Sequence, residues 1–68
     1  MQNMDDMDFW IRAFDKHGNL RREIAKTCDL MVGHAAYEAA VRRKENGEVI
    51  LLTKKAWVIR RTEQFERE

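Results

Sequence analysis

The pattern of hydrophobic and polar positions along the chain predicts two strands, one helix and two further strands. The first segment, residues 8–14, reads DFWIRAF and is rich in the aromatic and β-branched residues typical of strands. It ends at Asp15, whose side chain can bond its own backbone to open a turn, and Gly18 supplies the left-handed residue that closes a hairpin. The chain is then predicted to return as a second strand over residues 20–26.

This second strand has a competing interpretation. Apolar or small residues recur every fourth position, as on one stripe of a helix: Leu20, Ile24, Cys28, Val32, Ala36 and Ala40. The alternative fold is therefore βαββ, with one long helix from about residue 20 to 45 that Asn19 caps. Gly33 inside that stretch and the strong turn over residues 15–18 favour the hairpin.

An alanine-rich run over residues 35–41 predicts a helix, with Asp29 as its N-cap. Cationic residues at 42–44 suit the negative end of the helix dipole. Asn46 and Gly47 then predict a left-handed C-cap. Because alanine is small, this helix is expected to lie close against a sheet.

The last third of the chain predicts two strands, residues 49–52 and 57–62, around a polar turn over 53–56. The whole pattern is ββαββ, an α+β fold in which a four-stranded antiparallel sheet carries one helix on one face. Residues 1–68 are enough for a single small domain, and residues 1–7 and 64–68 are expected to be frayed.

The pattern resembles that of short bacterial ββαββ proteins of unknown function. The residues that carry the resemblance lie between positions 8 and 62; they are Phe9, Ile11, Asp15, Gly18, Ala36, Ala39, Ala40, Val49, Leu51 and Val58. Such proteins often have glycine in the last turn, where this chain has Lys54. The resemblance implies a fold and no activity.

Charge and hydropathy narrow the function classes. The 13 Lys and Arg residues nearly balance the 12 Asp and Glu residues, so dominant nonspecific nucleic-acid binding is not expected. The first ten residues are acidic where a signal peptide is basic, and no apolar run approaches the roughly 18 residues of a membrane helix. The sequence therefore predicts a cytoplasmic protein without a membrane partner.

The residues that could perform chemistry are few and poorly spaced. Cys28 is the only cysteine, which excludes an intrachain disulfide, fits a reducing compartment and predicts a small buried apolar residue. With His17 and His34 it forms no zinc motif, and the pairs Asp15–His17 and Cys28–His34 lack the orientation that catalysis needs. No catalytic residue, metal or cofactor is expected, and we predict that the chain is not an enzyme.

A surface for binding is the stronger expectation, because the strands are apolar on both faces and one helix covers only one of them. We expect the uncovered face to carry Trp10, Phe14, Ile50, Leu52, Trp57 and Ile59. An exposed apolar patch of several hundred Å² usually marks an interaction site. The predicted partner-binding residues are Trp10, Phe14, Leu52, Trp57 and Ile59. The predicted function is protein binding, as a homodimer or as a small inhibitor or adaptor encoded by a mobile element.

The alternative prediction is a nucleic-acid-binding module built on the C-terminal hairpin. Four basic residues surround Trp57 in this segment: Lys54, Lys55, Arg60 and Arg61. Cations next to an exposed aromatic ring can follow a phosphate backbone while the ring stacks on a base.

Overall fold

The computed structural model describes residues 8–62 and confirms the ββαββ order. Its elements are β1 (Phe9–Phe14), β2 (Leu20–Thr27), α1 (Leu30–Arg43), β3 (Val49–Lys54) and β4 (Trp57–Arg61). The long-helix alternative is wrong, because the segment after the first turn is a strand of eight residues. Residues 1–7 and 64–68, which were expected to be frayed, lie outside the described part of the chain.

The turn between β1 and β2 forms as its residues predict. The Asp15 carboxylate accepts hydrogen bonds from the backbone N–H groups of His17 (2.8 Å) and Asn19 (2.9 Å). Gly18 adopts a φ of +88°, the left-handed conformation that only glycine takes without cost. The hydrogen bond from the Asn19 backbone lowers the pKa of Asp15, with a smaller contribution from His17. Asp15 and His17 are therefore turn residues: the Asp15 carboxylate accepts the hydrogen bonds, and His17 donates one of them from its backbone N–H.

Helix α1 begins as predicted and ends earlier than predicted. Asp29 is the N-cap, since its carboxylate accepts hydrogen bonds from the backbone N–H groups of Met31 (2.8 Å) and Val32 (3.2 Å). The C-cap is Lys44, which is extended, and it is not the predicted left-handed residue. Gly47 does adopt a φ of +88°, but it does so in the separate turn that leads into β3.

The sheet has the strand order β2-β1-β3-β4, and the pairing of β1 with β3 decides which side chains face the helix. In this register Ile11 lies opposite Leu52, and Ala13 lies opposite Ile50. Side chains directly opposite each other in an antiparallel pair share a face. All four are fully buried in the core. The prediction that Ile50 and Leu52 lie on the uncovered face is therefore wrong.

The core is a layer between α1 and the two central strands. Tyr37 and Ala40 contribute from the helix and are nearly inaccessible. The helix also packs close to the sheet at Gly33, where an added Cβ would lie 3.5 Å from Leu52 and 3.7 Å from Phe9. The small residues of α1 thus allow the close approach that the alanine pattern predicts.

The second hairpin has a tighter turn and a less regular partner strand than predicted. Strand β3 continues to Lys54, so the connection is only two residues long, and Lys55 adopts a positive φ of 54°. A register shift places Arg60 opposite Leu52 and Val58 opposite Thr53. Ile59 is the extra residue of this bulge. The shift decides where each side chain of β4 points.

Candidate protein-binding surface

One face of the sheet has no helix over it in the described part of the chain, since α1 packs against the other face. We call this surface the open face. The β1–β3 register places six side chains at its centre: Trp10, Arg12, Phe14, Val49, Leu51 and Thr53. Each of the six is half-buried. The edge strands add Leu20, Glu23, Lys26, Val58 and Arg61 by the same pairing rule.

Cationic side chains lie over the aromatic ring of Trp10 on this face. The Arg12 guanidinium carbon lies 4.3 Å from the ring centroid, and the Lys26 ammonium nitrogen lies 4.6 Å from it. Lys26 is also paired with the carboxylate of Asp8 at 3.4 Å. Cations over tryptophan are attracted by the negative face of the ring, and their methylene groups cover part of it. The ring of Trp10 is therefore in contact with two cationic side chains.

The end of the open face near the first turn is a shallow groove. Its apolar lining comes from Phe14, Val49 and Leu51, and its rim includes Lys16 and Arg61. The groove encloses about 320 Å³. A groove of this kind can accept an apolar side chain of a partner, while a polar residue next to that side chain in the partner contacts the rim.

Trp57 and Ile59, which were predicted on the same face as Trp10, are placed elsewhere. Trp57 lies opposite Lys54, which shares the helix side of β3 with Leu52, so Trp57 and Trp10 are on opposite faces of the sheet. Trp57 is 77% exposed, and Ile59 is 38% exposed in the bulge. Of the five predicted partner-binding residues, Trp10 and Phe14 lie on the open face, and Leu52 lies in the core.

Val49 and Leu51 lie on the open face and were missed by the sequence reasoning, which placed their neighbours Ile50 and Leu52 there instead. Only the register between β1 and β3 could have revealed them. That register depends on which strands are neighbours. The sequence reasoning also did not single out Leu30 and Met31, which are exposed apolar residues in the first turn of α1.

The basic residues of the C-terminal hairpin do not form one cluster. The Arg60 guanidinium lies over the Tyr37 ring at 4.4 Å and contacts His34 Nδ1 at 3.3 Å and Glu38 Oε2 at 3.2 Å. This places Arg60 on the helix side of the sheet.

The other three basic residues point in different directions. Lys54 Nζ lies 5.4 Å from the centroid of the Phe9 ring, Lys55 is in the turn, and Arg61 lies opposite Leu51 on the open face. The four cations of the predicted nucleic-acid surface are thus divided between two faces and a turn.

The structure shows the surroundings of the residues that were considered for chemistry. Within residues 8–62, no three His, Cys, Asp or Glu side chains come together where they could hold a metal ion. His34 contacts Arg60, and Cys28 is an exposed free thiol, which corrects the expectation that it is buried. Among residues 8–62, Cys28 thus contributes an exposed thiol, and His34 is a histidine that contacts a cation.

The fold and the open face define this chain as a small α+β domain with one sheet face that no element of residues 8–62 covers. Comparisons with protein-family models, with curated proteins and with solved structures find no match. The one described helix is too short and too polar to cross a membrane.

The exposure of Trp57 leads to a first prediction. Replacing Trp57 by alanine is expected to change the free energy of unfolding by less than about 0.5 kcal/mol, because surface substitutions away from the core rarely do more. Urea denaturation followed by circular dichroism measures this change. A loss of 2 kcal/mol or more, roughly the cost of truncating a core residue, would contradict the position described here.

Proposed function

We propose that this protein is a non-enzymatic interaction module that binds a protein partner through the open face of its sheet. The observation that carries the proposal is the apolar stripe that surrounds Arg12 on the two central strands, with no described element over it. Its residues are Trp10, Phe14, Val49 and Leu51. Sheets with one uncovered apolar face normally bury it against another layer. In a chain of 68 residues, such burial also supplies stability that a small core provides only in part.

The residue types on the stripe are those that protein interfaces favour, which supports a role in binding. Trp and Phe are enriched at the centres of protein interfaces, and they often account for most of the binding energy. The stacked cations hold Trp10 in place before a partner arrives, which lowers the entropy lost on binding. The lone cysteine supports a cytoplasmic setting for the protein, in which a free thiol stays reduced. A small inhibitor or adaptor that occupies the surface of a larger protein fits these features.

The nucleic-acid alternative is supported by a narrower observation, the exposed Trp57 beside Lys54 and Lys55 at the end of the second hairpin. Arg60 and Arg61 are not part of this cluster. Arg60 is paired with Glu38, and Arg61 lies on the other face of the sheet. Binding of this kind weakens steeply as salt increases, whereas burial of an apolar face does not. Salt dependence therefore separates the two functions.

The proposal is tested by using the protein as bait and blocking the open face. Leu51→Glu places a charge at the centre of the stripe, opposite Arg12, and Thr53→Glu places one on the same face. We expect both variants to lose the proteins that the wild type retains at 0.15 M salt, as quantified by mass spectrometry. Thermal denaturation by circular dichroism shows whether each variant is folded.

Val32→Glu is the matched control, because it makes a similar change at an exposed apolar position of α1. It is expected to retain the same proteins as the wild type. Equal retention by all four baits would contradict the proposal. Recovery of nucleic acid that is released by moderate salt would favour the alternative function.

A further inference from the structure

A half-buried histidine of α1 contacts an arginine of the edge strand β4 on the helix side of the sheet. The Arg60 guanidinium extends from β4 over the Tyr37 ring, 4.4 Å from the ring centroid. Its Nη1 atom lies 3.3 Å from His34 Nδ1 and 3.2 Å from Glu38 Oε2. Because Nη1 carries two hydrogen atoms, it can donate one to each of these two acceptors on the helix.

The contact with Arg60 defines the protonation state of the His34 ring. A guanidinium has donors and no acceptor, so His34 Nδ1 must be the acceptor of this hydrogen bond. A histidine nitrogen that accepts a hydrogen bond carries no proton. In this arrangement the ring is therefore neutral, and its single proton is on Nε2.

The other charged groups on this side of the sheet have their own partners. Lys54 on β3 lies over the Phe9 ring, with Nζ 5.4 Å from the ring centroid. Arg22 on β2 pairs with the buried carboxylate of Glu48, and Asp29 caps the N-terminus of α1. The side chains that β1 directs toward the helix are apolar. Within residues 8–62, the charges that act on the histidine are therefore the guanidinium on β4 and the carboxylate one turn further along α1.

A second proton on the ring reverses the sign of this contact. Histidine is the side chain whose charge commonly changes between pH 5 and 8. A proton on His34 Nδ1 replaces the acceptor by a donor, which then faces the donor of Arg60 and brings two positive charges together. Glu38 can accept a hydrogen bond from the protonated ring, because side chains four residues apart on a helix are neighbours.

We propose that the contact between His34 and Arg60 is a pH-sensitive switch, which joins α1 to β4 while the histidine is neutral and breaks when it is protonated. The buried core side chains come from α1, β1 and β3, so Arg60 gives the edge strand a link to the helix that the core does not supply. When the contact breaks, Arg60 leaves the cavity of about 580 Å³ between α1 and β4, whose lining includes Tyr37 and Val41. This inference does not depend on the open face, which is on the other side of the sheet.

The first test follows the histidine rings by nuclear magnetic resonance as the pH is lowered from 8 to 5. At pH 8 the ring nitrogen shifts of His34 are expected to place its proton on Nε2. Arg60→Gln is expected to move the midpoint of the His34 titration upward by about half a pH unit, because it removes the cation that opposes protonation. Glu38→Gln is expected to move it downward. His17, in the turn between β1 and β2, is the internal control, and its midpoint should be the same in all three chains.

The second test measures the edge strand by amide hydrogen exchange at pH 7.5 and pH 5.5, after correction for the intrinsic exchange rates. We expect the protection of the β4 amides to fall about threefold or more at the lower pH relative to that of the β1 amides, which is the effect of losing one hydrogen bond. In His34→Gln, whose side chain has no charge to gain, this relative protection should be the same at both pH values. Glu48 stays ionised over this range, since its pKa is lowered from 4.5.

Other outcomes overturn the inference. A proton on His34 Nδ1 at pH 8 contradicts it, and this measurement needs no variant. A titration midpoint that Arg60→Gln leaves unchanged or lowers shows that the guanidinium does not oppose protonation. Protection of β4 that is constant with pH, or that falls equally in the wild type and in His34→Gln, shows that this histidine does not control the edge strand.

Discussion

Replacing Leu52 by alanine is expected to lower the free energy of unfolding by about 2–5 kcal/mol, the usual cost of truncating a buried leucine. Leu52 is fully buried between β1, β3 and α1, and its Cδ1 lies 3.5 Å from the position of a Cβ on Gly33. Truncation removes buried methyl groups and leaves a cavity that the surrounding backbone cannot fill. A domain of this size rarely has more than about 3–5 kcal/mol from its core. Urea denaturation monitored by far-ultraviolet circular dichroism measures the loss.

Leu51→Ala is the matched control for this experiment. Leu51 is the adjacent residue of the same type, but it is half-buried and points to the open face. We expect it to lose about 1 kcal/mol, because much of its surface is already in contact with water. A larger loss at Leu51 than at Leu52 would mean that the two faces of β3 are assigned the wrong way round.

The elements of this fold can be predicted from the sequence because their signals are local. The turn that starts at Asp15 and the N-cap at Asp29 each depend on hydrogen bonds within four residues. These signals decide correctly against the long helix from residue 20. The predicted C-cap fails because Lys44 ends the helix in an extended conformation and Gly47 serves the next turn.

The surface is harder to predict because it depends on contacts between distant residues. Alternation within β3 is visible in the sequence, but the face of Leu52 is fixed by its pairing with Ile11, 41 positions earlier. A shift by one residue moves every side chain of a strand to the opposite face. The bulge at Ile59 likewise has no glycine that would mark it in the sequence. In the turn before it, Lys55 adopts the positive φ that glycine usually supplies. Two of the five predicted partner-binding residues, Trp10 and Phe14, thus lie on the open face.

A buried carboxylate was also invisible to the sequence reasoning. Glu48 precedes β3, and its side chain is inaccessible to solvent. One oxygen accepts a hydrogen bond from the Glu45 backbone N–H at 3.0 Å, and the other pairs with the guanidinium groups of Arg22 and Arg21. The carboxylate thereby ties edge strand β2 to the connection between the helix and β3. Arg22 lies 26 residues before Glu48, so the local pattern does not predict this pair.

Replacing Glu48 by glutamine is expected to cost about 2 kcal/mol of unfolding free energy at pH 7, because the amide presents a donor or a neutral oxygen to two cations. Glu45→Gln is the control, since its carboxylate is mostly exposed and contacts Arg21 at 3.7 Å. It should cost less than about 0.5 kcal/mol. A similar loss for both variants would show that burial of Glu48 has no special effect.

The same carboxylate makes the stability of the chain depend on pH in a defined direction. The hydrogen bond from the Glu45 backbone, assisted by Arg22 and Arg21, lowers the pKa of Glu48 below its ordinary value of 4.5, although burial alone raises it. A lowered pKa means that the folded chain favours the charged form, so the contribution is complete above pH 4.5 and is lost as the pH falls through the lower value. The difference in stability between the wild type and Glu48→Gln should therefore be constant from pH 7 to about 5 and shrink below that range. Urea denaturation at each pH measures it, and a difference that persists unchanged at pH 2 would show that the loss at Glu48→Gln comes from packing and not from the charge.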